Sequence, residues 1–235
     1  MEANHHNPHF NHLQGTKMSL ELPNAWPGLV EQGSPEWFAQ RLGKVTASRV
    51  ADVIAKTKTG YSASRDNYMA QLVCERLTNT VAESFTNSAM QWGTDTEPFA
   101  RAAYEAQTGV MVDEVAMLPH PTIEMAGASP DGLVGDDGQI EIKCPNTATH
   151  IDTLLMQKVP LKYLTQMQWQ MACTGRDWCD FVSFDPRMPT YLQMWVCRVN
   201  RDDVYIKLLE DEVGTFLAEV QSKVTHLQGM NHGSN

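Results

Sequence analysis

The 235-residue sequence predicts an α/β fold, with a central mixed β-sheet flanked by helices. Three observations carry this. Residues 34–108 place apolar side chains at helical spacing between recognisable caps. From residue 110 to 145 the pattern switches to alternation, and two more alternating stretches follow, separated and closed by helical ones. Neither an internal repeat nor an interdomain linker is visible, so residues 25–235 read as one domain. Residues 1–24, rich in Asn and His, read as a tail. Its His5, His6, His9 and His12 are solvated tail residues, or else adventitious metal ligands.

SPEWFAQRLG (34–43) opens with Ser34 as a cap and Pro35 at the first helical position, and closes on Gly43. TASRVADVIAKT (46–57) predicts a second helix with a Thr or Ser cap and Val50, Val53 and Ile54 on one face. A long helix is expected from about Ser64 to Glu83, aligning Tyr68, Leu72, Val73 and Leu77. The next runs from about Ser88 to Thr108 and stops at Gly109. Strands are expected over 110–118, 123–134 and 139–145, then helices in ATHIDTLLMQ and over 161–175. Strands over 179–184 and 190–199 lead into a last helix from Arg201 to about Leu227.

Composition narrows the function classes. Five cysteines, odd in number and without a C-x-x-C pair, argue against a disulfide framework and a structural zinc site, and for reduced core thiols. No run approaches the ~18 apolar residues of a membrane span. The first 17 residues lack the apolar centre of a secretory signal, so a cytoplasmic protein is expected. A net charge of −10 repels nucleic acid on average, so any DNA-directed role needs a local basic patch or metal ions.

The stretch ASPDGLVGDDGQIEIKCP (128–145) concentrates the chemistry. Alternation turns Ile140 and Ile142 to the core and sets Glu141 and Lys143 about 7 Å apart on the other face. A two-residue loop at Asp136–Asp137 would oppose Asp131 to Ile142, on the wrong face. A three-residue loop with Gly138 at positive φ sets Asp131 opposite Lys143 and diagonal to Glu141, and the turn chemistry favours that register. Two carboxylates on one face repel unless a cation lies between them. Oxygen-only ligands favour Mg²⁺ or Mn²⁺ over zinc. With a lysine to hold a water or steady charge at phosphorus, these are the parts of a phosphodiester-cleaving site. The alternative is that Glu141 and Lys143 are solvated charges on an exposed strand. An EF-hand loop is excluded, because Leu133 and Gly135 stand where oxygen ligands are needed.

WFAQRLGKVTASRV, AMQWGTDTEPFARAAYEAQTG, ASPDGL, IEIKCP, YLTQMQWQM and SFDPRM occur in the order and spacing seen in the lambda-exonuclease-like (YqaJ-type) viral recombinases. Over roughly residues 30–200 the chain resembles that family, a branch of the PD-(D/E)XK nucleases. The resemblance implies a restriction-endonuclease-like core and Mg²⁺-dependent 5′→3′ degradation of one strand of duplex DNA, with Mn²⁺ able to substitute and two ions per site. It further implies a ring-shaped homotrimer, and a single-strand annealing protein to receive the 3′ strand in a phage-infected or prophage-bearing host. Asp131 and Glu141 would ligate metal with the Ile142 carbonyl, Lys143 would orient or help deprotonate the water, and Glu97 would support metal-bound waters. Arg41, Ser48 and Ser129 match a 5′-phosphate pocket, Gln166 the family's Q-x-Q glutamine, and Met90 a strand-separating wedge.

Plainer readings stand beside these: Glu97 as a surface charge, Arg41 as a helix-end cation, Gln166 as a buried amide and Met90 as core. Lys58, with Lys44, Arg49, Lys56 and Arg65, either lines a DNA channel or is solvated. Related PD-(D/E)XK nucleases often carry Q-x-x-x-Y, whereas Gln170 follows Gln166 here. His120 reads as structural, and Glu124 has no assignment. Rival functions are an endonuclease, disfavoured by Arg41 and Ser48, and a non-catalytic DNA-end-binding protein, disfavoured by the intact Asp131, Glu141 and Lys143.

Overall fold

The computed structural model describes residues 30, 32–81 and 87–230, so the Asn/His-rich tail and its histidines lie outside the described residues. In chain order the elements are α1 (Pro35–Arg41), β1 (Val45–Thr46), a 3₁₀ turn (Ala47–Arg49), α2 (Val50–Ile54), β2 (Lys56–Thr57), β3 (Gly60–Tyr61), α3 (Ala63–Thr78) and α4 (Ser88–Thr108). There follow β4 (Val112–Asp113), β5 (Leu118–Pro119), β6 (Ala126–Ala128), β7 (Gly132–Val134) and β8 (Gly138–Lys143). The chain then continues through α5 (Thr147–Met156), α6 (Leu161–Thr174), β9 (Trp178–Phe184), β10 (Met194–Asn200) and α7 (Asp203–Met230).

The main sheet has the order β10-β9-β8-β7-β4 and is mixed: β8 runs parallel to β9 and antiparallel to β7. Its central strand is therefore buried on both faces. Ile140 and Ile142 pack towards α4 with Ala100, Tyr104, Val182 and Phe184. On the other side α6 brings Met167 and Met171 against Cys179 and Phe181 of β9. A second sheet, β1-β6-β5, joins α2, α3, α7 and Trp169 in the remaining core.

Local signals explain where the helices begin and end. Ser34 caps α1 by accepting the Trp37 N–H, and Asn87 caps α4 by accepting that of Met90. Gly109 and Gly175, both left-handed, stop α4 and α6. α3 ends at Thr78 with Asn79 left-handed, five residues before the expected end, which lies outside the described residues.

Three expectations are corrected. The helix predicted over 46–57 contracts to the 3₁₀ turn and α2. Thr46 is held in β1 instead, paired with Gly127, its N–H donated to the Tyr68 hydroxyl. Lys56 and Thr57 pair with Gly60 and Tyr61 through a turn with Gly60 at φ 144°. The strand predicted over 110–118 reduces to β4 and β5, and that over 123–134 divides into β6 and β7, in different sheets. Pro130 stands at that division, where no ladder N–H is available.

The third correction is the hairpin register. Val134 faces Gly138, Leu133 faces Gln139 and Gly132 faces Ile140. The three-residue loop is thus Gly135–Asp136–Asp137, with Gly135 rather than Gly138 at positive φ. Carried one residue further, this pairing brings Asp131 alongside Glu141, not Lys143. Gly138 is glycine for a different reason: a Cβ there would be driven into the Trp178 ring on β9.

That ring cannot swing aside freely, because Arg198 stacks on it at 3.5 Å from the centroid. Gly138→Ala is therefore expected to destabilise the fold by about 1–3 kcal/mol, as overpacking does. A urea titration followed by tryptophan fluorescence measures this, and Gly135→Asn, at an open left-handed position, is the mild comparison.

Candidate active site

Glu141 is fully buried at the middle of the sheet, so its charge must be met by neighbours. Four atoms do this. Lys143 pairs with its Oε1, which also accepts the Gln166 Nε2–H at 2.7 Å. Gln170 donates to Oε2 at 2.6 Å. Asp131, buried beside it, accepts the Ile142 N–H through Oδ2 at 2.6 Å. Burial and the Glu141 charge hold the Asp131 carboxyl well above the usual carboxylate range, against the pull of Lys143 and the Ile142 N–H. Burial opposes the charge on Lys143, but Glu141 and Asp131 outweigh it and keep the ammonium above its ordinary range.

Glu97 reaches the same field from α4. Burial raises its pKa even though Arg101 and Lys143 act the other way. Arg101 donates to Glu97 at 2.7 Å and also pairs with Glu114 at 2.7 Å. Cys144, next along the strand, is pushed up to about 12 by burial and then by Glu97 and Asp131.

Three carboxylates (Glu97, Asp131, Glu141) thus share two cations, one of them also committed to Glu114. A hard divalent cation fits this excess of negative charge and this oxygen donor set. Among the described residues no three His, Cys, Asp or Glu side chains are grouped to chelate an ion alone. Backbone carbonyl, water or phosphate oxygens would therefore complete its shell, as is usual for Mg²⁺.

A cleft of about 280 Å³ lies among α1, the 3₁₀ turn and α3, and Arg41, Ser48 and Met90 all line it. Arg41 stacks on Trp37 at 4.0 Å and donates to the Ser129 hydroxyl at 3.3 Å; the Trp37 indole N–H donates to the same oxygen at 3.1 Å. Burial brings Arg41 down to about 10, against the opposing influence of Tyr68 and Glu75. Met90 stands half-exposed at the rim. Arg41, Ser48, Ser129 and Met90 are therefore brought to one place, and Glu97, Asp131, Glu141 and Lys143 to another.

The other expected residues have different surroundings from those expected. Gln166, read as a DNA contact, spends its amide N–H on Glu141. Lys58 sits exposed in the β2–β3 turn and does not line the cleft. Of its companions only Lys44 and Arg49 line that cleft. Arg49 pairs with Asp52, Lys56 with Glu212, and buried Arg65 with Glu219. His120 is structural: it stacks on Trp169, and its Nδ1 accepts the Thr122 and Ile123 N–H groups. Burial lowers its pKa, although Glu210 faces its Nε2 at 3.3 Å. Glu124 is exposed.

Sequence reasoning missed Gln170 and Arg101. Their signals were present in spacing: Gln166/Gln170 and Glu97/Arg101 are both i, i+4 pairs on one helix face. It also assigned no task to SFDPRM. Arg187 there donates to both Asp185 oxygens and to the Pro145 carbonyl, and lies 4.3 Å over the Trp92 ring, tying α4 to the strand ends beside the carboxylates.

Burial alone would raise the Asp185 carboxyl, but hydrogen bonds from Arg187 and Thr147 outweigh it and bring it from 3.8 down to about 2. A depressed carboxylate stabilises the fold fully above its unfolded value and loses that contribution as pH falls through its folded one. Asp185→Asn should therefore lower the urea midpoint by a constant amount from pH 7 to about 4. The gap to the wild type should narrow as pH falls towards about 2. A pH-independent gap would remove this ion pair from the account.

Residues 36–177 match the model of the YqaJ-like viral recombinase domain. An alkaline exonuclease from Laribacter hongkongensis, solved alone and in complex with dAMP, is 55% identical with a TM-score of 0.80, covering 85% of this chain and 98% of that one. A phage-related exonuclease from Haemophilus somnus 129PT is 16% identical with a TM-score of 0.65, covering 78% of this chain and 96% of that one, a likeness of fold alone. No curated protein matches the chain. The matched span runs from α1 to the start of β9, taking in both the Arg41 cleft and the Asp131, Glu141 and Lys143 cluster, and the chain belongs to the YqaJ-like viral recombinase family, with its restriction-endonuclease-like fold.

Proposed function

We propose that this protein is a metal-dependent exonuclease that degrades one strand of duplex DNA from a 5′-phosphorylated end, leaving a 3′ single strand for recombination by annealing. The observation that supports this best is the buried meeting of Asp131, Glu141 and Lys143, in a chain 55% identical to an alkaline exonuclease. Asp131, Glu141 and the Ile142 carbonyl would hold Mg²⁺, with Mn²⁺ as a substitute and two ions as the working number. The ion supplies Lewis acidity at the scissile phosphate and lowers the pKa of a bound water.

The protein's own groups do the rest. Lys143 orients the attacking water and steadies charge gathering on phosphorus. Glu97, held by Arg101, accepts hydrogen bonds from waters at the site. Arg41, its plane already set by Trp37 and Ser129, offers its remaining N–H groups to a terminal phosphate, which Ser48 also reaches. Holding that phosphate sets the register that brings the scissile bond to the carboxylates. Met90, exposed at the cleft rim, is placed to wedge between strands.

A homotrimeric ring with Lys58 facing its channel agrees with the charge of −10, because a closed ring holds its track without tight electrostatic binding. A single-strand annealing protein would take up the product strand in the host cytoplasm. No helix among the described residues is long and apolar enough to cross a membrane.

With Mg²⁺, linear duplex should be consumed from its 5′ ends while a closed circular plasmid survives, as end-labelling and gels will show. A cut circle would make the protein an endonuclease. Asp131→Asn and Glu141→Gln should each lower cleavage by several orders of magnitude with the fold intact by circular dichroism. Near-normal cleavage by either variant would dismiss this metal site.

The Arg41 cleft makes a separate prediction. Replacing the 5′-phosphate by a hydroxyl should slow the wild type, and Arg41→Ala should erase most of that preference, a loss of roughly 1.5–3 kcal/mol for a charge-assisted contact. Equal slowing of both substrates would place the phosphate elsewhere.

A further inference from the structure

We infer that Gln170 is a positioning residue for the metal-binding face of Glu141: its amide N–H, not the backbone, decides which carboxylate lone pair is left for a cation. This rests on the nuclease reading above and assigns a task to a residue outside it.

A carboxylate has about four lone-pair directions, two on each oxygen. Oε1 of Glu141 is filled, by Lys143 and by the Gln166 Nε2–H at 2.7 Å. Oε2 has one donor, Gln170 Nε2 at 2.6 Å. One direction on Oε2 therefore remains, and Gln170 selects it. Both glutamines come from one face of α6, four residues apart, so the helix presents them as a two-pronged clamp. The prongs differ in setting: Gln166 is half-buried, whereas Gln170 is fully buried.

Gln170 is also an uneconomical choice for packing alone. Its Oε1 is buried with no hydrogen-bond partner, a condition that costs about 1–3 kcal/mol. An apolar side chain at that position would avoid the cost but leave Glu141 Oε2 without its donor. Tolerating an orphan carbonyl to keep one N–H on a carboxylate is the pattern expected where function sets the residue. Gln168, two residues away and also buried, is the contrast. Its N–H goes to the Asn200 carbonyl and its oxygen accepts the Asp202 N–H, so both ends serve the fold.

The test uses the full-length protein and Mn²⁺ binding by calorimetry, with no DNA. Groups that orient a metal ligand typically contribute 10–100-fold in affinity. Gln170→Met, similar in volume but without the donor, should weaken Mn²⁺ at least tenfold and raise the Mg²⁺ concentration needed for half-maximal cleavage in parallel. Gln168→Met should lower thermal stability and leave Mn²⁺ affinity within twofold of wild type. Wild-type affinity in Gln170→Met, or an equal loss in both variants, overturns the assignment. If Gln170→Met does not fold, NMR of the wild type decides: Ca²⁺ must shift the Gln170 side-chain amide resonances and spare those of Gln168. Failure of the wild type itself to cleave DNA with Mg²⁺ would instead defeat the nuclease reading.

Discussion

A buried anion organises this molecule. Glu141 sits on the central strand of a mixed sheet, with helices on both faces and its side chain fully buried. An isolated carboxylate there would be prohibitive, so the surroundings had to supply donors. Lys143 comes from the same strand, and Gln166 and Gln170 from the helix that covers it. The same helix also buries Met167 and Met171 against β9, and Trp169 in the second core. α6 thus closes the hydrophobic interior and holds the carboxylate with the same turns, and its place in the fold cannot be separated from its place in the site.

The two groups of residues are linked by a short piece of backbone. Ser129 receives Arg41 and Trp37 at the cleft, and Asp131, two residues on, lies beside Glu141. Between them the chain leaves the small sheet at β6 and enters the large one at β7. Both ends of this crossing are tied into β-ladders: Val45 and Thr46 pair with β6, and Gly132 pairs with Ile140. Arg41 and the carboxylates are therefore joined by a short stretch of chain anchored in a sheet at each end. The Arg187 strut onto Trp92 secures α4, and with it Glu97, on the opposite side.

Much of this was legible in the residues. α4 begins at Ser88 and ends at Thr108, the bounds that helical spacing and Gly109 announced, and α6 is just as close. Helix ends answer to local hydrogen bonding, which a few neighbouring residues specify. The strands were less legible. Val112–Asp113 and Leu118–Pro119 look like one alternating run, but alternation does not say which sheet a residue joins. The hairpin shows the same limit at finer scale, because Gly135 and Gly138 both suit a three-residue loop. Gly138 is needed for another reason, the Trp178 ring on a strand forty residues away, which local sequence does not reveal.

The sequence by itself determined the fold class, the longer helices, and the identities of the charged residues near one strand, since residue type and spacing act over a few positions. Tertiary structure alone decided that Asp131 faces Glu141, that Gln166 and Gln170 turn inward onto it, and that Lys56 and Arg65 are taken up by Glu212 and Glu219 of α7. Each of these depends on which distant element fills a given space or meets a given charge. Packing and Coulomb attraction settle that only once the whole chain is folded.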